Sequence, residues 1–208
     1  MSIVTIRGQL GSGAPEIGRI VADRLKVDYV DREIIAEVAA SINRSENEII
    51  ILEKPPSNLL ERIGEALARR AIRRGVSSAY LPASAMPLDD KCYLNALISV
   101  IRELAQTQQI VIRGRGSQFI LKDYQRALHV LVVAPLEMRV NRVMKDMKLD
   151  KKVAKQEIIN SDSSRRQFTK RYFRARLEDP KLYDLVINTQ NIDFKAAASI
   201  VVDAVHHK

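Results

Sequence analysis

The first residues able to do chemistry lie at the start of the chain. Ile3-Val4-Thr5-Ile6 is a short apolar run, followed by Arg7, Gly8, Gln9, Leu10, Gly11, Ser12 and Gly13. Pro15 then opens a segment in which Ile17, Ile20, Val21 and Leu25 recur at helical spacing. Glycines between a strand and a helix let backbone N–H groups approach an anion closely. The helix start adds unpaired donors and partial positive charge. The expected product is a phosphate cradle built from Gly8, Gly11, Ser12 and Gly13. A tight strand-to-helix turn without a ligand, with Ser12 only closing it, is the ordinary alternative. The density of glycine favours the cradle.

Further on, charged residues stand where apolar runs end. Asp31 and Arg32 follow the short run Val27 to Val30, and Arg115 lies between Gly114 and Gly116, just after Ile110-Val111-Ile112. Crevices at the carboxyl ends of parallel strands are where α/β proteins bind ligands. Asp162, Arg165 and Arg166 fall in a basic stretch. Residues 139–176 hold 13 Lys/Arg against 4 Asp/Glu, and the rest of the chain is balanced, so the whole net charge of +9 belongs to this segment. A field so concentrated suits a phosphate-bearing partner: a nucleotide, a nucleic acid or a membrane surface. Ordinary roles exist beside these. Asp31 can cap a helix, and Arg32, Arg115, Arg165 and Arg166 can be solvated surface.

The elements that must position these residues alternate. Apolar runs at Ile3–Ile6, Ile110–Ile112, Leu128–Val133 and Leu185–Ile187, with Val27–Val30 as a weaker one, suit strands buried on both faces of a parallel sheet. Helical patterns lie between them: the segment opened by Pro15, then Asp31–Ile42, 58–75, 89–106, Pro135–Met147 and Phe194–Val205. The stripe of the 89–106 helix is Leu94, Leu97, Ile98, Ile101 and Leu104. Residues 53–58 and 75–90 read as irregular, and 43–88 as an inserted helical region. The fold class is α/β, a parallel sheet of about five strands flanked by helices, within one domain over residues 1–208. A single cysteine, Cys92, excludes an internal disulfide and fits a reducing cytoplasm. It is expected to be a small buried residue on its helix, and His129 a structural residue in its strand. With three histidines, two of them at the tail, a structural zinc site is disfavoured. No apolar run approaches the roughly 20 residues of a membrane span, and Met1-Ser2-Ile3 enters strand-like sequence without a signal-peptide pattern.

The loop matches G-x-x-x-x-G-K-[ST] at Gly8 and Gly13 and then departs, with Ala14 at the lysine position and Pro15 at the Ser/Thr position. Four segments nonetheless give the chain a family likeness: Gly11-Ser12-Gly13 with Glu16-Ile17-Gly18; Tyr29 to Ile35; Ile112-Arg113-Gly114-Arg115-Gly116; and Asp162 to Arg166, Arg171-Tyr172-Phe173 and Tyr183 to Thr189. In this order the chain resembles the cytidylate kinase-like proteins, a branch of the P-loop nucleoside monophosphate kinases. The resemblance implies that Gly8, Gly11, Ser12 and Gly13 cradle the phosphates of ATP, with Mg2+ bridging them. It implies that Asp31, Arg32 and Arg115 bind the acceptor, most simply CMP. It places Arg165 and Arg166 in a lid (about 145–178) reaching the transferring phosphoryl group, with Asp162 orienting them or holding a magnesium-bound water. The acceptor side is a helical region at about 31–88.

The missing lysine matters. One charge pair at ~4 Å and an effective dielectric near 20 is worth on the order of 4 kcal/mol, roughly a thousandfold in rate. Arg7 or a lid arginine could replace it. Otherwise the chain is an inactive relative that binds a nucleotide as a sensor or scaffold. A nucleic-acid-binding reading of the 139–176 segment is the less favoured one, since aromatics for base stacking are sparse. The partners expected are therefore a small nucleotide, with no nucleic acid and no membrane. The amphipathic 58–75 helix offers a surface for a homodimer.

Overall fold

The computed structural model describes residues 3–53, 90–107 and 109–208. The helix expected over 58–75, its dimer surface, and nearly all of the irregular segments lie outside the described residues. The strands are β1 (Ile3–Gly8), β2 (Asp28–Val30), β3 (Ile110–Arg113), β4 (Ala127–Val133) and β5 (Leu185–Asn188). They form one parallel sheet in the order β2-β3-β1-β4-β5, as the apolar runs predict. The helices are α1 (Ala14–Leu25), α2 (Glu33–Ser41), α3 (Glu46–Glu53), α4 (Asp90–Thr107), α5 (Ser117–Ile120), α6 (Leu136–Met147), α7 (Lys151–Phe173) and α8 (Phe194–His206).

The two faces of β1 divide the core. Ile3 joins a cluster with α2 and α4, which includes Ile34, Val38, Leu97 and Ile101. Val4 and Ile6 join a second cluster with α1 and α8, which includes Ile17, Val21, Ala198 and Val201. Alternation along the strand therefore aims Arg7 at the α2/α4 side. A third cluster of Val140, Val143, Ala154 and Ile158 fastens α7 to α6, with Leu10 of the glycine loop against it. The strongest caps are on α7 and α8, where Asp150 accepts from the N–H of Lys152 and Val153, and Asp193 from that of Ala196. In α3, Ser45 and Glu48 bond reciprocally in a capping box.

Four expectations are corrected. The second helix starts at Glu33 rather than Asp31, with Arg32 at its cap position and no side-chain cap bond. Asp31 is not a cap because Arg113 claims its carboxylate. The buried stripe of α4 is Tyr93, Ala96, Leu97, Val100, Ile101 and Ala105, and Leu94, Ile98 and Leu104 are only partly covered. This rotation lets Tyr93 donate to Glu53 at 2.6 Å, and it leaves Cys92 exposed.

His129 of β4 is buried, its Nδ1 2.7 Å from the Thr5 hydroxyl. Burial holds its pKa below the ordinary 6.5, against the pull of Asp184. The native state thus prefers the neutral ring. As pH falls below about 6.5, the unfolded chain takes up the proton first and stability declines down to the lowered native pKa. A His129→Gln variant is expected to lack this component. Chemical denaturation of both proteins between pH 7 and 5 checks it, and the wild type should lose more stability than the variant.

Candidate active site

The glycine loop leaves β1 at Gly8 and enters α1 at Ala14. Its shape is set by close contacts. A side chain at Gly8 would place its first carbon 2.3 Å from the Cβ of Ala14 and 2.6 Å from the Oγ of Ser12. Gly13, the cap of α1, has φ +90°, and a Cβ there would lie 2.2 Å from the Phe194 ring. Within the loop, Ser12 N–H donates to Gln9 O, and Gln9 N–H to Val132 O. The N–H groups of Gly11 and Gly13 have no acceptor among the described residues. They are the donors that an anion cradle needs. The Ser12 side chain is buried and its oxygen has no partner among the described residues.

Arginines grip the loop carbonyls from outside. Arg165 donates to Gly8 O at 2.9 Å. Arg142 donates to Gly11 O at 3.2 Å and to both oxygens of Thr189, and it stacks on the Phe194 ring. Thr189 in turn donates to Ser12 O at 2.8 Å. Arg139 and Asp162 form a buried ion pair at 2.8 Å beneath the loop. Asp162 is thereby committed to Arg139 rather than to Arg165 or Arg166.

A cavity of about 190 Å³ opens beside the loop at the carboxyl ends of β1 and β3. Its walls carry Arg7, Arg113, Arg115 and Arg165, with Asp31 and Glu53 as the acids and Phe168 as an aromatic side. Arg113 binds Asp31 through Nε and Nη2, both to one carboxylate oxygen, at 2.7 and 2.6 Å. Arg115 is ion-paired with Glu53. Arg7 and Arg165 have no carboxylate partner among the described residues. Burial lowers the pKa of Arg7 to about 9 and that of Arg115 to about 10. It also lowers that of Arg165, where Arg113 adds to the effect. Arg7 and Arg115 remain cations near neutral pH.

Residues 114–116 all have left-handed backbone, with φ of 77°, 55° and 70°. The other non-glycine residues with positive φ, Lys26, Asn43, Lys148 and Arg174, follow helix ends. Arg115 is held this way in a turn at the sheet's carboxyl edge, where strain accompanies ligand sites. A side chain at Gly116 would strike the Phe173 ring, so the end of α7 packs directly on this turn.

The structure thus brings Asp31, Arg115 and Arg165 to one cavity, which Arg165 ties to the glycine loop at Gly8, while Gly11, Ser12 and Gly13 are not among its walls. It does not bring the others. Arg32 is exposed, and Arg166 is exposed and paired with Glu178 at 3.2 Å. Arg113, Glu53, Arg139, Arg142 and Phe194 carry the site without having been assigned a role from sequence. The available signal was the charge ending each apolar strand, at Arg7 and Arg113. Nothing local marks Arg142 or Glu53, whose contacts are made across long sequence separations.

Gly13→Ala is expected to cost on the order of 1–2 kcal/mol from the left-handed backbone alone, and to push Phe194 out from under Arg142. Calorimetric unfolding should show a lowered Tm, partly restored in the Gly13→Ala/Phe194→Ala double variant. Equal and additive losses would contradict the contact.

Comparison with known proteins agrees with the geometry. The family described as "Cytidylate kinase-like family" matches residues 3–191. A cytidylate kinase of Methanothermobacter thermautotrophicus is 24% identical over 197 residues, covering 94% of this chain and 99% of its own. One from Methanocaldococcus jannaschii is 31% identical over 105 residues, and the match spans 50% of this chain and 59% of that protein. A solved structure from Eubacterium ventriosum superposes over 100% of both chains with a TM-score of 0.72 at 17% identity, a likeness of fold. The α/β sheet, the glycine loop and the family match together establish that the chain belongs to the cytidylate kinase-like family.

Proposed function

We propose that the protein transfers the γ-phosphoryl group of ATP to a nucleoside monophosphate, with CMP as the foremost acceptor. The observation that carries this reading is the cavity that Arg165 joins to the glycine loop at Gly8, where two of four arginines have no carboxylate partner among the described residues. Two half-buried guanidiniums without a carboxylate repel each other and are less well solvated than in open water. A phosphate dianion relieves both costs and takes their hydrogen bonds in forked geometry.

In this reading the loop N–H groups hold the donor phosphates and the arginine cavity holds the acceptor phosphate. An acceptor phosphate oxygen bonds to the γ-phosphorus. The bond from that phosphorus to its bridging oxygen breaks, and the electron pair leaves with ADP. The attacking oxygen is already ionised, so no general base is required. That agrees with a site whose carboxylates, Asp31 and Glu53, are tied to arginines. The chain's contribution is positioning and charge neutralisation. Arg115 reaches the acceptor by exchanging Glu53 for phosphate. α7 is the body of a lid (about 145–178), the region at about 31–88 is the acceptor side, and both belong to a single domain. Arg166 and Arg32 would join the site only on closure.

Magnesium fits this chain poorly as a protein-held ion. Position 15 is proline and offers no hydroxyl, Asp162 is engaged by Arg139, and no cluster of three metal-ligating side chains occurs among the described residues. No step is assigned to a protein–metal bond; Mg2+ belongs with the nucleotide phosphates as part of the substrate. Ala14 and Pro15 also favour a second reading, a nucleotide-binding relative without turnover. The basic segment 139–176 speaks for a small nucleotide over nucleic acid, because Arg139, Arg142 and Arg165 turn inward to the loop. Among the described residues no helix is long and apolar enough to cross a membrane. The expected compartment is the cytoplasm.

A coupled ADP-release assay with ATP and Mg2+ against a panel of monophosphates tests the proposal. Turnover dependent on one acceptor, CMP first, is expected. Arg115→Ala should lower kcat/KM for that acceptor by roughly 10- to 150-fold, the worth of one charged hydrogen bond of about 1.5–3 kcal/mol. Nucleotide binding with no acceptor-dependent turnover would select the inactive relative.

A further inference from the structure

Residue 14 lacks the cation that the loop pattern calls for, and the molecule supplies another close by. Arg7 precedes Gly8 on β1, the central strand, and its side chain lines the cavity beside Arg165. Arg165 itself touches Gly8 O at 2.9 Å. The surrounding acids are engaged elsewhere: Asp31 on Arg113, Glu53 on Arg115 and Asp162 on Arg139. The Tyr183 hydroxyl donates to Leu177 O at 2.7 Å. The Arg7 guanidinium has no hydrogen-bond acceptor among the described residues. Half-buried on the cavity wall, it is open to an anion entering there, which it would hold through charge-assisted hydrogen bonds.

We propose that Arg7 is the phosphate-binding cation that position 14 does not provide, and that with Arg165 it grips the phosphoryl group where the glycine loop meets the cavity. The charge enters from the strand before the loop rather than from the helix after it. Its burial, which depresses its proton affinity, also keeps it from forming the hydrated ion that a surface lysine would be. Arg7 thus serves the kinase reading given above. Its affinity for phosphate can be measured whether or not turnover occurs.

The test uses the full chain as wild type, Arg7→Met and Arg7→Lys. Met keeps most of the side-chain length without the charge. Calorimetric titration with inorganic tripolyphosphate is expected to show affinity weakened at least tenfold in Arg7→Met, the worth of one charged hydrogen bond, and partly kept in Arg7→Lys. Because Arg7 has no carboxylate partner among the described residues and stands near the like charges of Arg165 and Arg113, the unliganded Arg7→Met protein should melt no lower than wild type. In the coupled assay kcat should fall on the order of a thousandfold, with a smaller effect in Arg7→Lys. Unchanged tripolyphosphate affinity, alone or with a lower Tm, would overturn the proposal and make Arg7 a packing residue. Should Arg7→Met not fold, Arg7→Lys decides: a severalfold loss of affinity at unchanged Tm supports the role, and unchanged affinity overturns it. A wild type that binds tripolyphosphate through Arg7 yet phosphorylates no monophosphate would defeat the kinase reading and leave this one standing.

Discussion

A guanidinium withdrawn from water needs an acceptor, and at the carboxyl edge of this sheet several are withdrawn together. Arg113 and Arg115 find Asp31 and Glu53, and Arg139 finds Asp162. Arg165 finds a loop carbonyl, and Arg7 finds nothing within the described chain. Leaving a buried charge unpaired is costly, several kcal/mol per ion even after relaxation and water penetration. Arg7 stands half-buried on the cavity wall, beside the start of the glycine loop. The unpaired cation stands beside the start of the glycine loop, whose Gly11 and Gly13 N–H groups have no acceptor among the described residues, and the two features together suit an anion.

The rest of the architecture holds those groups still. Packing of α7 on α6 through Val143, Ala154 and Ile158 sets Asp162 and Arg165 under and beside the loop. Arg142, Thr189 and Phe194 brace the loop's far side, so that β5 and α8 are coupled to it. The Arg115 turn is braced by Phe173 against Gly116, and Phe173 stacks on Phe119 with ring centroids 4.9 Å apart. Aromatic contacts at the end of α7 thus connect the turn at β3 to the helix that carries Arg165. Movement of α7 would reach both ends of the cavity at once.

Much of this was legible in the sequence. Continuous apolar runs ending in glycine or proline marked the strands, because a parallel sheet covered on both faces admits little else. The glycines marked the loop, and Arg115 between two glycines marked the second turn. Long-range partners were not legible. Asp31 reads as a helix cap until Arg113, 82 residues on, is seen to hold it. Cys92 reads as buried because its helix is amphipathic, and only the packing of Tyr93 against Glu53 fixes the rotation that exposes it. Arg165 and Arg166 are equivalent in sequence. One turns to the loop and its neighbour to Glu178, a choice made by the orientation of α7.

The kinase reading requires phosphates to lie in line from the glycine loop into the arginine cavity. A crystal structure with a bisubstrate analogue, adenosine and cytidine joined by five phosphates, tests it most directly. The account predicts phosphate oxygens on the N–H groups of Gly11 and Gly13, on Arg7 and on Arg165, with the cytidine end toward Arg115 and Asp31 and the Glu53 pair opened. An analogue bound with its phosphates away from Arg7 and the cavity, or with the Arg115–Glu53 pair intact and the cytidine outside, would contradict it.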